Sequence, residues 1–134
     1  MLSLLAGPPR QPADDPAAAD RGEALFETVG CVKCHIPALD GAEGPVPLYS
    51  DLLLHEILPE GALGIEEGSA NMREFRTAPL WGLSTSNPYL HSGAADTIED
   101  AVIAHNGEAR AVREAYELLN GSEQDDLLMF LGSL

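Results

Sequence analysis

Cys31-Val32-Lys33-Cys34-His35 uses both cysteines of the chain and places a histidine directly after the second. Two thiols at this spacing can add to the two vinyl groups of one porphyrin, which leaves the next residue under the iron. An imidazole there is a neutral, strong-field nitrogen ligand. A bare CxxC would say less, because redox disulfides and half zinc sites share it. With no other cysteine to complete a tetrahedral zinc site, and with the histidine attached, a c-type haem is favoured. The alternatives are a thioredoxin-like pair, which lacks its βαβ pattern, and a structural disulfide. The expected cofactor is one haem c, covalent through Cys31 and Cys34, with His35 as proximal ligand.

At 134 residues the chain is long enough for one domain. Apolar residues make up 45% of it but aromatics only 5%, so its own core is modest. A covalent haem would supply the large rigid apolar group that a few helices need. The net charge of −15 argues against nucleic acid or an anionic membrane surface as partner. It suits a basic redox partner, or a salt-adapted acidic surface. No run reaches transmembrane length, and Met1 to Gly7 lacks the basic start of a secretory signal. Haem c is attached outside the cytoplasm, so a periplasmic or extracytoplasmic location is expected, with the natural N-terminus upstream.

Residues 2–5 read as the last turn of an earlier helix, and Gly7 to Ala19 as a Pro/Ala/Asp-rich linker. This divides the chain into 1–19, helix end and linker, and 20–134, the haem domain. Asp20 with Glu23 gives a capping-box start for a helix through Phe26 and Val29 into the haem loop. Pro and Gly make Ile36 to Tyr49 a loop, and Ser50 is expected to cap a short helix from Asp51 to Leu58. Glu60 to Met72 reads as a surface excursion, and Phe75 to Leu90 as irregular with one helical turn. Thr97 with Asp100 starts a helix that Asn106-Gly107 stops. A helix from Glu108 to Asn120, closed by Gly121, and a last one opened by Ser122 with Asp125 follow. No convincing strand alternation appears. The fold class is mainly α: a cytochrome c-like domain of about four to five helices, with long irregular loops around one haem.

The chemistry turns on what opposes His35, since six-coordinate iron transfers electrons and open iron binds small ligands. His55, His91, His105, Met72 and Met129 are the candidates. Met129 lies among the apolar residues of the last helix, and Met72 in a polar loop. His105 has the best local grounds, ending an amphipathic helix with Val102 on the same face. His91, bracketed by turn residues, could instead bind a haem carboxylate or a loop carbonyl.

These residues resemble the C-terminal haem domain of bacterial di-haem oxidoreductases, relatives of di-haem cytochrome c peroxidase, and most of all the di-haem thiol oxidoreductase-like group. The likeness runs through LLAGPPR, GEALFETVGCVKCHIP, YSDLLLHEI, FRTAPLWGLSTSNPYLHSG, TIEDAVIAHNGEA and LLMFLGSL, in the family's order. It implies thioethers on Cys31 and Cys34, His35 as proximal ligand, and His105 where the peroxidases carry an axial Met. A bis-histidine haem should have a lower potential than a His/Met one. His91 and Trp81 fall in the family's segment near the haem edge and are expected to contact the cofactor. The resemblance also implies an N-terminal haem domain that this chain lacks.

The first function expected is therefore an electron-transfer module, with iron between His35 and His105. The alternative is a peroxidase-like or small-ligand-binding domain whose sixth site is open or displaceable. The acidic runs at Glu66-Glu67 and Glu123 to Asp126 read as solvated faces, and no residue is assigned a catalytic role.

Overall fold

The computed structural model describes residues 8–59, 61 and 64–134. Among the described residues four α-helices carry the domain: α1 (Pro16–Val29), α2 (Ile98–Ala104), α3 (Arg110–Glu117) and α4 (Gly121–Gly132). Two small antiparallel ladders lie between α1 and α2: β1 (Leu39–Gly41) with β2 (Gly44–Val46), and β3 (Leu54–Glu56) with β4 (Glu74–Arg76). The mainly α class with long loops stands. The helix expected over residues 2–5, and part of the Glu60 to Met72 excursion, lie outside the described residues.

α1 begins four residues ahead of the expected Asp20, because Asp15 accepts from the Ala18 N–H and Pro16 occupies the first helical position. The preceding segment is tied down: the Gln11 N–H donates to the Ser133 carbonyl, and Arg10 bonds the Ser133 hydroxyl and Glu23. α1 ends at Gly30, whose left-handed backbone (φ 102) lets its N–H cap the Phe26 carbonyl. α2 carries the expected Thr97–Asp100 capping box. For α4 the cap is Asn120, paired reciprocally with Glu123. Gly121 is thus the first residue of α4, not the stop of α3, which ends at Glu117.

Residues 51–58 hold no helix. The Ser50 hydroxyl and the Asp51 carboxylate accept from the N–H groups of Leu52 and Leu53, and such local side-chain bonds compete with helix formation. The chain then extends as β3, with Leu54 opposite Arg76 and His55 opposite Phe75. α1 crosses α4 over a core of Phe26, Val29, Tyr116, Leu127, Phe130, Leu131 and Leu134. Beside this small core the described residues enclose a large hollow.

Candidate functional site

The hollow has a volume of about 540 Å³, inside the range of small-molecule and cofactor sites. Its lining includes Cys31, Cys34, His35, Trp81, His91 and His105, so the fold brings all six predicted residues to one cavity. Phe26, Leu58, Leu80, Val102, Tyr116, Leu127 and Leu131 supply apolar wall.

The CxxCH stretch follows Gly30 as a 3₁₀ turn. The N–H groups of Cys34 and His35 both donate to the Cys31 carbonyl, at 3.3 and 2.9 Å, which winds the motif tightly. Both cysteines are free thiols. Burial pushes the Cys31 thiol up to about 11, and burial also raises Cys34, with Asp51 and Glu108 adding to it.

His35 Nδ1 lies 2.8 Å from the Tyr49 carbonyl, and His105 Nδ1 lies 2.6 Å from the Ala101 carbonyl. A carbonyl can only accept, so in both rings Nδ1 carries the proton, and in the neutral form of each ring Nε2 is the nitrogen with the lone pair. This is the arrangement of metal-ligating imidazoles, whose second nitrogen is fixed by an outer partner. Burial holds the His35 ring below its ordinary value, keeping it neutral as a ligand must be. The two ring centres lie 6.5 Å apart. Two metal–nitrogen bonds of about 2 Å, plus about 1 Å from each nitrogen to its ring centre, span about 6 Å.

The charges around the cavity run against the acidity of the whole chain. Lys33, Arg76 and Arg113 border it, against Glu108 alone among the carboxylates of the described residues. The Nε of Arg113 is buried and finds no hydrogen-bond partner among the described residues. Such an orphan donor suits an anionic group entering the cavity.

His91 is exposed at the mouth and stacks on Phe75 at 4.2 Å. The Trp81 indole N–H donates to the Pro47 carbonyl, which fixes its ring at the cavity wall. Met72, Met129 and His55 do not line the hollow. His55 sits beside it, its Nε2 on Asp51 at 2.8 Å and its Nδ1 on Glu108 at 3.0 Å. The sequence offers His55 only as a candidate axial ligand and announces neither its pairing with Asp51 and Glu108 nor the two arginines. Glu108 lies 53 positions from His55, so no local spacing announces the pair.

A mainly α domain closed round an apolar cavity, with two neighbouring imidazoles, two thiols and bordering cations, defines a haem-binding redox domain. The residues fit that group in size, donor set and charge. The chain belongs to the family described as "Di-haem oxidoreductase, putative peroxidase", whose profile matches residues 2–134. It is similar to cytochrome-c peroxidase IdrP2 of Pseudomonas sp. (strain SCT), with 30% identity over 146 aligned residues, 87% of this chain and 39% of that protein. Its fold resembles Kuenenia stuttgartiensis hydrazine synthase, solved under xenon pressure. The TM-score is 0.65 at 25% identity, over 96% of this chain and 50% of that one. The chain thus spans about two fifths of the length of the curated relative it matches.

Proposed function

We propose that this chain is a c-type haem electron-transfer domain, the C-terminal part of a larger di-haem oxidoreductase. One observation carries the reading: the His35 and His105 rings line one cavity with their centres 6.5 Å apart, and the Nδ1 of each is satisfied by a backbone carbonyl, which leaves Nε2 as the nitrogen to bind a metal. Cys31 and Cys34 would carry the thioethers of a single haem, and His35 and His105 would be its axial ligands. Arg113 and Arg76 would hold its carboxylates, while Trp81 and His91 border its edge. The bound haem supplies a one-electron redox centre.

The protein's own part is to hold both ligands in place through their Nδ1 bonds, so that little rearranges between redox states. The apolar wall keeps water from the ligand nitrogens. The exposed mouth at His91 offers an edge for exchange with another protein. The −15 charge favours a basic redox partner, and an N-terminal haem domain is the expected neighbour. The expected division into 1–19 and 20–134 then shifts, since Pro16 to Ala19 already belong to α1: the connection between domains would lie before Pro16 and the haem unit would run from it. Covalent haem attachment would make the location extracytoplasmic; no described helix is long and apolar enough to cross a membrane.

A second reading has one observation in its favour. His105 closes α2 with extended backbone (φ −60, ψ 127), outside the helix proper, so it can move without unwinding α2. A displaceable His105 would give a peroxidase-like or small-ligand site. Low-temperature EPR of the oxidised, haem-loaded protein separates the two. A low-spin signal of two-imidazole type that is lost in His105→Ala supports electron transfer. A high-spin signal in the unaltered protein overturns it in favour of the open site.

A further inference from the structure

The segment from Asp51 to Ile57 bridges the two sides of the cavity. At one end the Asp51 N–H donates to the Cys34 carbonyl at 2.8 Å, next to His35. At the other end the Asn106 N–H donates to the Ile57 carbonyl at 2.7 Å, next to His105. Glu108 is bound in as well, its second oxygen accepting from the Glu56 N–H at 2.9 Å. The approach is close enough that a Cβ on Gly107 would clash with the Glu56 carbonyl, and Gly107 is also left-handed (φ 55). His105 has left the helical backbone, so its place depends on the turn that follows it, and that turn rests on this segment.

His55 stands at the centre of the bridge. Both ring nitrogens face carboxylates, and carboxylates only accept, so the clamp is complete only with both nitrogens protonated. A charged imidazolium between two carboxylates makes two charge-assisted bonds. With one proton gone, a lone pair faces a carboxylate and one side of the clamp repels.

We propose that His55, held between Asp51 and Glu108, is a positioning residue that keeps the His105 turn at the axial site, so that opening the clamp withdraws His105 and frees the sixth position. The inference rests on the reading that His105 opposes His35. It gives the two functions above one structural basis: a closed clamp for electron transfer, an open one for ligand binding.

The groups facing His55 define its titration. Asp51 and Glu108 touch it, and the Cys34 sulfur lies within 4.8 Å of the Asp51 and His55 ligand atoms. Opposite on β4 is Phe75, flanked by Glu74 and Arg76, with Arg73 paired to Glu56 at 3.3 Å. The bond to Glu108, then that to Asp51, raises the His55 value above its ordinary 6.5. The clamp is therefore closed below that ordinary value and opens as pH rises through the raised one.

The test is EPR of oxidised, haem-loaded protein from pH 5.5 to 9.5, for the unaltered chain, His55→Gln, Glu108→Gln and His105→Ala. Loss of the two-imidazole signal with rising pH is expected in the unaltered protein. In His55→Gln the signal should fall severalfold at pH 7 and no longer respond to pH. Glu108→Gln keeps a neutral acceptor, so its loss should move to lower pH; it decides the matter if His55→Gln fails to fold. If the unaltered protein lacks the signal at low pH, or His105→Ala retains it, the axial reading itself falls, and the inference with it. If His105→Ala abolishes the signal while His55→Gln and Glu108→Gln match the unaltered protein at every pH, the clamp alone is overturned.

Discussion

The Tyr49 carbonyl accepts the Nδ1–H of His35, and Tyr49 itself sits in the left-handed backbone region, φ 50. That conformation costs a non-glycine residue on the order of 1–3 kcal/mol and persists only where the surroundings hold it. Here the side chain does the holding. Its ring meets Phe26 at 6.1 Å and Phe130 at 5.8 Å, both edge-on, and its hydroxyl donates to Glu23. Core packing and the aim of the proximal ligand are thus one arrangement. Tyr49→Phe keeps the rings and should cost less than about 1 kcal/mol. Tyr49→Ala removes the hold and should cost roughly 3 kcal/mol. Urea denaturation of the haem-loaded protein measures both, and equal losses would refute the role given to the ring.

The crossing of α1 and α4 depends on a missing side chain. A Cβ on Gly22 would run into the Asp126 carbonyl and lie 2.8 Å from the Phe130 Cβ. Alanine is the better helix former, so on an exposed face the change would stabilise. Here the overlap with backbone should dominate, with a net loss of roughly 1–3 kcal/mol and a lower Tm. A Tm at or above that of the unaltered protein would show that the helices separate without cost.

Much of this site was legible because its parts are local. CxxCH is a contiguous motif, and Thr97–Asp100 with Asn106-Gly107 brackets α2 well enough to place His105 at its end. The β3 segment is not legible in this way, because Leu-Leu-Leu-His after Ser50 looks like a capped helix. What decides against it is the bonding of Ser50 and Asp51 to the N–H groups two residues on, together with pairing to β4 some 20 positions away. α4 was opened two residues late, since Asn120 caps as well as Ser122 and its partner Glu123 was already in register. Arg113 and the His55 clamp depend on tertiary approach alone. No periodicity encodes a contact between residues 55 and 108.

Arg21 grips Asp126 with two bonds, at 2.7 and 2.8 Å. The hydrogen bond from Arg21 holds this carboxyl below its ordinary value. A folded value below the unfolded one contributes stability above the unfolded value, near 3.9, and loses it as pH falls through the folded one. Asp126→Asn should therefore lower Tm at neutral pH, with the gap to the unaltered protein closing below about pH 4. A gap that stays constant from pH 7 to pH 2.5 would assign the loss to packing instead.

Cys31 and Cys34 should be poor nucleophiles while the haem-free chain is folded. With the Cys31 thiol pushed up to about 11 by burial, little thiolate exists near pH 8. Relative to a free cysteine near 8.5, its alkylation should be slower by on the order of 100-fold. Urea should restore the ordinary rate, which mass spectrometry of iodoacetamide-treated protein can follow for each cysteine. Fast modification of Cys31 without urea would mean that the turn after Gly30 is open in the haem-free chain.

Arg113 offers the sharpest check on how the cavity holds its cofactor. Its Nε is buried without a partner among the described residues, and its ion pairs to Glu114 and Glu117 are long, 3.6 and 3.8 Å. A guanidinium so placed both anchors a carboxylate and lends positive potential to the cavity, which favours the reduced state of a nearby metal. Arg113→Gln should lower the midpoint potential by on the order of 50 mV, about 1 kcal/mol for one electron at a partly screened distance. Arg110, bound to Glu114 on the outer face and 67% exposed, serves as control. Arg110→Gln removes the same formal charge from the chain but from a screened position, so its potential should stay near that of the unaltered protein. Equal shifts from the two substitutions would mean that only net charge matters, and that Arg113 does not reach the bound group.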